Sequence, residues 1–313
     1  MRRTLDKVMS AAEAVARFVR PGAVLGMGAQ NIGRVPMALT HEIIRQRIGD
    51  LTVVGCNLSI GMDQLVAAGL VRRCESGSGN LERFGTTFSW RRAIEAGTLE
   101  VEDYSHLSMV SRFLAGEMGV PFMPTRSMLG SDLLPGGDGD GARGGGAPAG
   151  KAVVVENPWR PGERIVLVPA LRPDVSVMHV QRADPLGNVI IEGFATHEPE
   201  MIRASEAVIV SCEELISTDE IRAHPERTTV PFLHVDAVVV QRYGAYPTSV
   251  YGYYDYDADH VTAYQAAAKA GSPAIDEYLR RWVWGCDTFD AYLQGAAGPD
   301  RLAALRRSMA EAM

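Results

Sequence analysis

Residues 10–20 carry apolar side chains at helical spacing: Ala11, Ala12, Val15, Phe18 and Val19. Pro21-Gly22 stops the run, so the pattern predicts a short helix. Ala23-Val24-Leu25 then reads as a strand, a glycine-rich turn follows, and residues 35–47 are amphipathic with a helical period. Residues 51–54, Leu-Thr-Val-Val, predict a second strand of β-branched type. Residues 62–68 predict a helix, and residues 69–74 lead into another short strand. Residues 76–80, Ser-Gly-Ser-Gly-Asn, read as a flexible polar turn. Helices are predicted at residues 90–96 and 105–118. In the second half, residues 164–168 and 174–180 predict strands. Residues 207–211 form an uninterrupted apolar run, as a strand buried on both faces would. Helices at about 258–270, 274–282 and 299–312 close the chain. This alternation predicts an α/β fold, an open and mostly parallel sheet with helices on both faces.

Residues 135–150 break the rhythm with a run of glycine, alanine, aspartate and proline. Such a run cannot bury enough side chain to offset the entropy of ordering it. It is expected to be a flexible surface insertion within a single domain spanning residues 1–313, because both flanks keep the strand–helix alternation. With 313 residues, 46% hydrophobic and 22% charged, the composition is that of a globular protein with a sizeable core. The net charge of −7 argues against a nucleic-acid partner, which needs a basic face. The four cysteines are far apart with no paired spacing, which fits a reduced cytoplasmic compartment and no metal framework. The opening residues lack the apolar core of a signal peptide. No apolar run is long enough to span a membrane.

The turn Gly26-Met-Gly-Ala-Gln-Asn-Ile-Gly33 lies where a strand hands over to a helix. In a parallel sheet that is the carboxyl edge, where open α/β folds bind ligands and unpaired N–H groups attract negative oxygen. The glycine spacing is not a dinucleotide fingerprint: the third glycine is displaced, and no acidic residue ends the strand at 51–55. The N–H groups of Gly28, Ala29, Gln30 and Asn31, or the side chains of the last two, are candidate donors to a developing oxyanion. A tight turn without a ligand would read the same way. Ser76, Ser78 and Asn80, after another strand end, are candidates to bind a carboxylate or carbonyl, or form a plain loop. Ser105 reads as a helix cap. His106 is a candidate pocket donor or acid, or a surface histidine. Arg112, on another face of that helix, is a candidate phosphate or carboxylate contact, or a salt-bridged arginine. His179 shares a face with Val175 and Val177 and reads as a satisfied core histidine. Glu213 and Glu214 are adjacent, so their side chains diverge; they read as acids at a helix start rather than an acid/base pair. Residues 244–257 are tyrosine-rich and predict a pocket wall or a protein interface. The seven histidines are scattered, and no pair has the spacing of metal ligands.

Six ordered blocks resemble the alpha subunit of family I coenzyme A transferases, glutaconate type. They are Asn31-Ile-Gly-Arg-Val-Pro-Met-Ala38, residues 91–104, residues 112–126, Val168-Pro-Ala-Leu-Arg-Pro-Asp-Val175, residues 179–188, and Gly244-Ala-Tyr-Pro-Thr-Ser249. The resemblance implies an open α/β/α subunit paired with a beta subunit, in an α2β2 assembly. The beta subunit brings a glutamate that attacks an acyl-CoA thioester and becomes a glutamyl-CoA thioester. This chain would supply the oxyanion site, Gly28 to Asn31, and walls of the acid pocket. Coenzyme A thioester enters as substrate, with no tightly bound cofactor. Glu156-Asn157 is followed by Pro158 instead of the glycine of the catalytic subunit's motif, and reads as a strand end. The same fold also serves decarboxylases and ring hydrolases of CoA thioesters. In the hydrolases a glutamate is implicated near the position where this chain has His106. A third reading is a non-catalytic CoA-binding scaffold.

Overall fold

The structure, a computed structural model, describes residues 6–134 and 150–313. The glycine-rich stretch at 135–149 lies outside the described residues. Eleven strands are described: β1 Val24–Met27, β2 Leu51–Leu58, β3 Val71–Gly79, β4 Glu100–Asp103, β5 Phe122–Thr125, β6 Val153–Glu156, β7 Arg164–Pro169, β8 Val175–Ala183, β9 Val189–Ile190, β10 Ala207–Leu215 and β11 Ala237–Val240. The helices are α1 Ala11–Phe18, α2 Met37–Arg45, α3 Ile60–Ala67, α4 Phe88–Glu95, α5 His106–Met118, α6 Glu198–Ala204, α7 Thr218–Ala223, α8 Ala258–Ala270, α9 Ala274–Leu279, α10 Phe289–Ala296 and α11 Gly298–Ala312.

The main sheet has the order β11-β10-β8-β1-β2-β3-β4, all parallel, with β9 added antiparallel to β8. The winding runs one way from β1 through β4 and the other way from β8 through β11. It reverses between β1 and β8, which is the switch point where such sheets open a crevice at their carboxyl ends. Both faces are covered. On one face Leu25, Met27, Leu51, Val53, Val175, Val177 and Ile209 pack with residues of α1, α2, α3 and the C-terminal helices. On the other, Val54 and Cys56 pack with Met109 and Phe113 of α5 and Met201 of α6. Ile202 of α6 joins Met178, Val180, Val208 and Val210. Strand alternation sends successive residues to opposite faces, so the apolar runs fill both cores.

Several local expectations are corrected. The strand expected at 69–74 continues to Gly79, so Ser76 and Ser78 lie within β3 and not in a flexible turn. The glycines serve close packing. A Cβ at Gly77 would run into the His106 ring, and one at Gly79 would run into the Trp90 ring. β10 runs through Glu213 and Glu214, so these acids are strand residues; α7 begins later, capped by Ser217. The strand at 164–168 is present as β7, but in a separate antiparallel sheet of order β5-β7-β6. The helix expected at 274–282 changes to π geometry over Arg280–Trp284. α10, capped by Thr288, has no counterpart in the sequence reading. Ser105 does cap α5, accepting from the Ser108 N–H, and Gly119 ends that helix at φ 71°. Among the described residues no helix is long and apolar enough to cross a membrane.

Candidate functional site

The glycine turn leaves β1 at the switch point. The Gly28 N–H donates to Val177 O at 2.9 Å, continuing the β1–β8 ladder for one more residue. Gln30 and Gly33 exchange both backbone hydrogen bonds, at 2.9 and 2.7 Å, which closes the turn. Two of the four expected donors are therefore engaged inside the fold. The N–H groups of Ala29 and Asn31 hold no hydrogen bond among the described residues. Asn31 sits at φ 49°, in the left-handed region that asparagine tolerates better than most residues. Its amide nitrogen donates to Glu82, and its carbonyl accepts from the Ser59 hydroxyl.

A distant segment braces the turn from one side. Ser249 accepts the Arg34 N–H at 2.7 Å and returns its own N–H to Ile32 O at 2.9 Å. The Thr248 hydroxyl accepts the Val35 N–H at 3.2 Å, and Gly244 O accepts the Ala38 N–H at 2.9 Å. The tyrosine-rich stretch thus turns part of itself inward: Tyr246 and Tyr254 are buried in the core. Tyr243 and Tyr253 line a separate cavity of about 380 Å³ with Arg182, Glu213 and Glu214.

Beneath the turn lie two residues absent from the sequence-level candidates. Glu198, fully buried at the start of α6, pairs with both prongs of the Arg34 guanidinium at 2.9 and 2.6 Å. His197 accepts the Cys56 N–H at 3.4 Å and stacks on Phe113 at 5.7 Å between centroids. Burial pushes the His197 imidazole down to about 4, so it is neutral at pH 7. The order of residues carries little sign of either. Thr-His-Glu-Pro reads as an ordinary loop before a helix.

The substrate-binding candidates divide. His106 Nε2 is 3.1 Å from the Ser78 hydroxyl, which donates to Asn57 Oδ1 at 3.0 Å. Asn80 Oδ1 accepts the Glu82 N–H at 2.9 Å, and Glu82 in turn holds Asn31, so the end of β3 is tied to the glycine turn. Ser76 is buried, and its hydroxyl has no hydrogen-bond partner among the described residues. Arg112 is committed elsewhere. Its guanidinium pairs with Glu75 at 2.7 Å and lies over the Tyr104 ring at 4.2 Å. Burial would raise the Glu75 carboxyl, but the Arg112 and Arg73 guanidiniums outweigh it and hold that group below its usual value. His179 is a satisfied core histidine, as the alternation predicts. It contacts Ser211 Oγ at 2.9 Å and Glu213 Oε1 at 2.7 Å. Glu213 also accepts from the Tyr254 hydroxyl and the Tyr243 N–H, both at 2.8 Å.

A parallel sheet covered on both faces, with a glycine turn at its switch point, defines an open α/β/α protein. The family model for coenzyme A transferase matches residues 8–241, and the chain belongs to that family. It is 35% identical to the A-type subunit of glutaconate CoA-transferase from Acidaminococcus fermentans, over 92% of this chain and 91% of that protein. The crystal structure of that glutaconate coenzyme A-transferase superposes with a TM-score of 0.88 at 33% identity, covering 96% of this chain and 95% of the other. The decarboxylase AibA/AibB superposes at 0.74 with 31% identity, covering 87% of this chain and 96% of that chain. An uncharacterized Archaeoglobus fulgidus protein is 35% identical over 98% of this chain, which spans 66% of that protein's length.

Proposed function

We propose that this chain is the alpha subunit of a heteromeric CoA transferase moving CoA between an acyl-CoA and a small mono- or dicarboxylic acid. The observation that carries the reading is the pair of free N–H groups, Ala29 and Asn31, at the switch point. A glutamate from the beta subunit's own chain attacks the thioester carbonyl, and the carbonyl oxygen gains negative charge that these donors stabilise. Collapse expels CoA thiolate and leaves an acyl–glutamyl anhydride. The thiolate then attacks the glutamyl carbonyl, passing through a second oxyanion, and releases the first acid with a glutamyl-CoA thioester in place. The same steps run backwards with the second acid. A preorganised donor of this kind contributes about 3 kcal/mol of barrier reduction. Ser78, Asn80 and His106 form the polar rim of the acid pocket. Ser76 and Arg112 act from behind it, Arg112 by holding Glu75. CoA thioester is substrate, no cofactor stays bound, and the assembly is α2β2 in the cytoplasm. Residues 1–313 act as one domain.

The likeness to the AibA/AibB decarboxylase supports a second reading, in which the same donors stabilise an enolate after loss of carbon dioxide. One experiment separates the two. The chain is expressed with and without its partner, incubated with a panel of acyl-CoAs, and trapped with hydroxylamine or borohydride. An adduct on the partner supports transfer. Carbon dioxide release without an adduct supports decarboxylation. An adduct on this chain, or turnover by this chain alone, defeats the proposed division of labour.

A further inference from the structure

One carboxylate lies beside both ends of the glycine turn. Glu198 Oε1 stands 3.0 Å from where a Cβ on Gly28 would lie. The same carboxylate grips Arg34, six residues further on, through two hydrogen bonds at 2.9 and 2.6 Å. Arg34 Nη2 also donates to Phe194 O at 2.8 Å. Arg34 has φ 53°, in the left-handed region that is uncommon for a non-glycine residue. Both partners are buried, at 4% and 0% exposure, so this is an interior ion pair and not a surface pairing.

The geometry points to Arg34–Glu198 as the positioning pair of the oxyanion turn. It fixes the span between Gly28 and Arg34, and so the direction of the Ala29 and Asn31 N–H groups between them. This inference rests on the reading of that turn as the oxyanion site. The pair also has an electrostatic task. A bare carboxylate behind the turn would oppose the negative charge that develops in front of it, strongly so in a buried setting. Arg34 cancels that charge, and the turn gains a rigid anchor of no net charge. A purely structural ion pair would not make the reaction rate depend on which partner is removed; this pair is expected to.

The test uses the chain co-expressed with its partner, as wild type, Arg34→Met and the double variant Arg34→Met/Glu198→Gln. Acetyl-CoA and glutaryl-CoA serve as probes, and the adduct on the partner is trapped with hydroxylamine. The double variant removes both charges together, so it leaves no unpaired buried ion and is expected to fold and assemble. Its amides at Gln30 and Gly33 should exchange with deuterium about tenfold faster, while those of β2 stay protected. Adduct formation should fall about 100-fold, with KM changed less than about twofold. Arg34→Met alone, which uncovers the carboxylate, should be slower than the double variant. A double variant with wild-type rate and exchange, or an Arg34→Met no slower than it, overturns the inference. Failure of the transferase reading shows separately, as a wild-type complex that forms no adduct. The exchange at Gln30 and Gly33 then judges the anchor by itself.

Discussion

Arg112 of α5 and Glu75 of β3 meet at 2.7 Å with side chains 7% and 13% exposed, so the arginine that the sequence offers to a substrate is held by the protein itself. Removing one partner of such a pair strands the other charge. Arg112→Met is therefore expected to destabilise the chain by about 3 kcal/mol. The Glu75 carboxyl is held below its ordinary value of 4.5. Its contribution is complete above that pH and is lost as the pH falls through the lowered folded-state value. Urea unfolding from pH 6 downward should show a shallower acid-side loss in Arg112→Met than in wild type. An unchanged acid-side slope would contradict the pairing.

His197 gives a second pH signature, in a different window. Burial lowers its imidazole from 6.5 to about 4. The unfolded chain binds the proton first, so stability is complete above about pH 6.5 and falls as the pH drops toward 4. At pH 5 this one group should cost about 2 kcal/mol. His41 and His260 are also buried and lowered, to about 3 and 4, and add to the same loss. His197→Gln keeps an acceptor for the Cys56 N–H and removes one titrating group. Unfolding free energies at pH 7 and pH 5 should lie closer together in that variant.

Gly28 tolerates no side chain. An added Cβ would lie 2.9 Å from Met178 Cβ and 3.0 Å from Glu198 Oε1, and the ion pair with Arg34 prevents that oxygen from retreating. Gly28→Ala is expected to shift the turn and slow the reaction about 100-fold, with assembly intact. Steady-state kinetics beside gel filtration of the complex tests this. Wild-type kcat in a correctly assembled variant would remove the turn from the mechanism.

Gly77→Ala tests why Ser-Gly-Ser-Gly is a strand. The new methyl would run into the His106 ring and lie 3.1 Å from His106 Cα. The start of α5 must move, at about 1–3 kcal/mol, and His106 must leave Ser78. A lowered thermal midpoint with a displaced His106 in a crystal structure is expected. A variant as stable as wild type would show that α5 does not pack where it is placed.

Much of the architecture is legible from the residues in order. The 207–211 apolar run announces a central strand, and Ser105 announces the start of α5, because backbone caps and burial on two faces depend on neighbours in sequence. Ser76 and Ser78 mislead for the opposite reason. Their glycine neighbours look like flexibility, and only the approach of His106 and Trp90 shows that they are there to clear space. The candidate site was half visible in the same way. The glycine turn, Ser78, Asn80 and His106 could be picked out as polar groups near strand ends. That Gln30 and Gly28 use their N–H groups internally, leaving Ala29 and Asn31, follows from a turn closure and a ladder that no residue type encodes.

The order of apolar and polar residues determined by itself that this chain winds a parallel sheet between two helical layers, and that a glycine turn lies at a strand's carboxyl end. Tertiary structure alone decided what surrounds that turn. Ser249 and Glu198 reach it from more than 160 residues away along the chain. A hydrogen bond or ion pair acts over about 3 Å of space, and separation along the chain leaves no periodic trace of it.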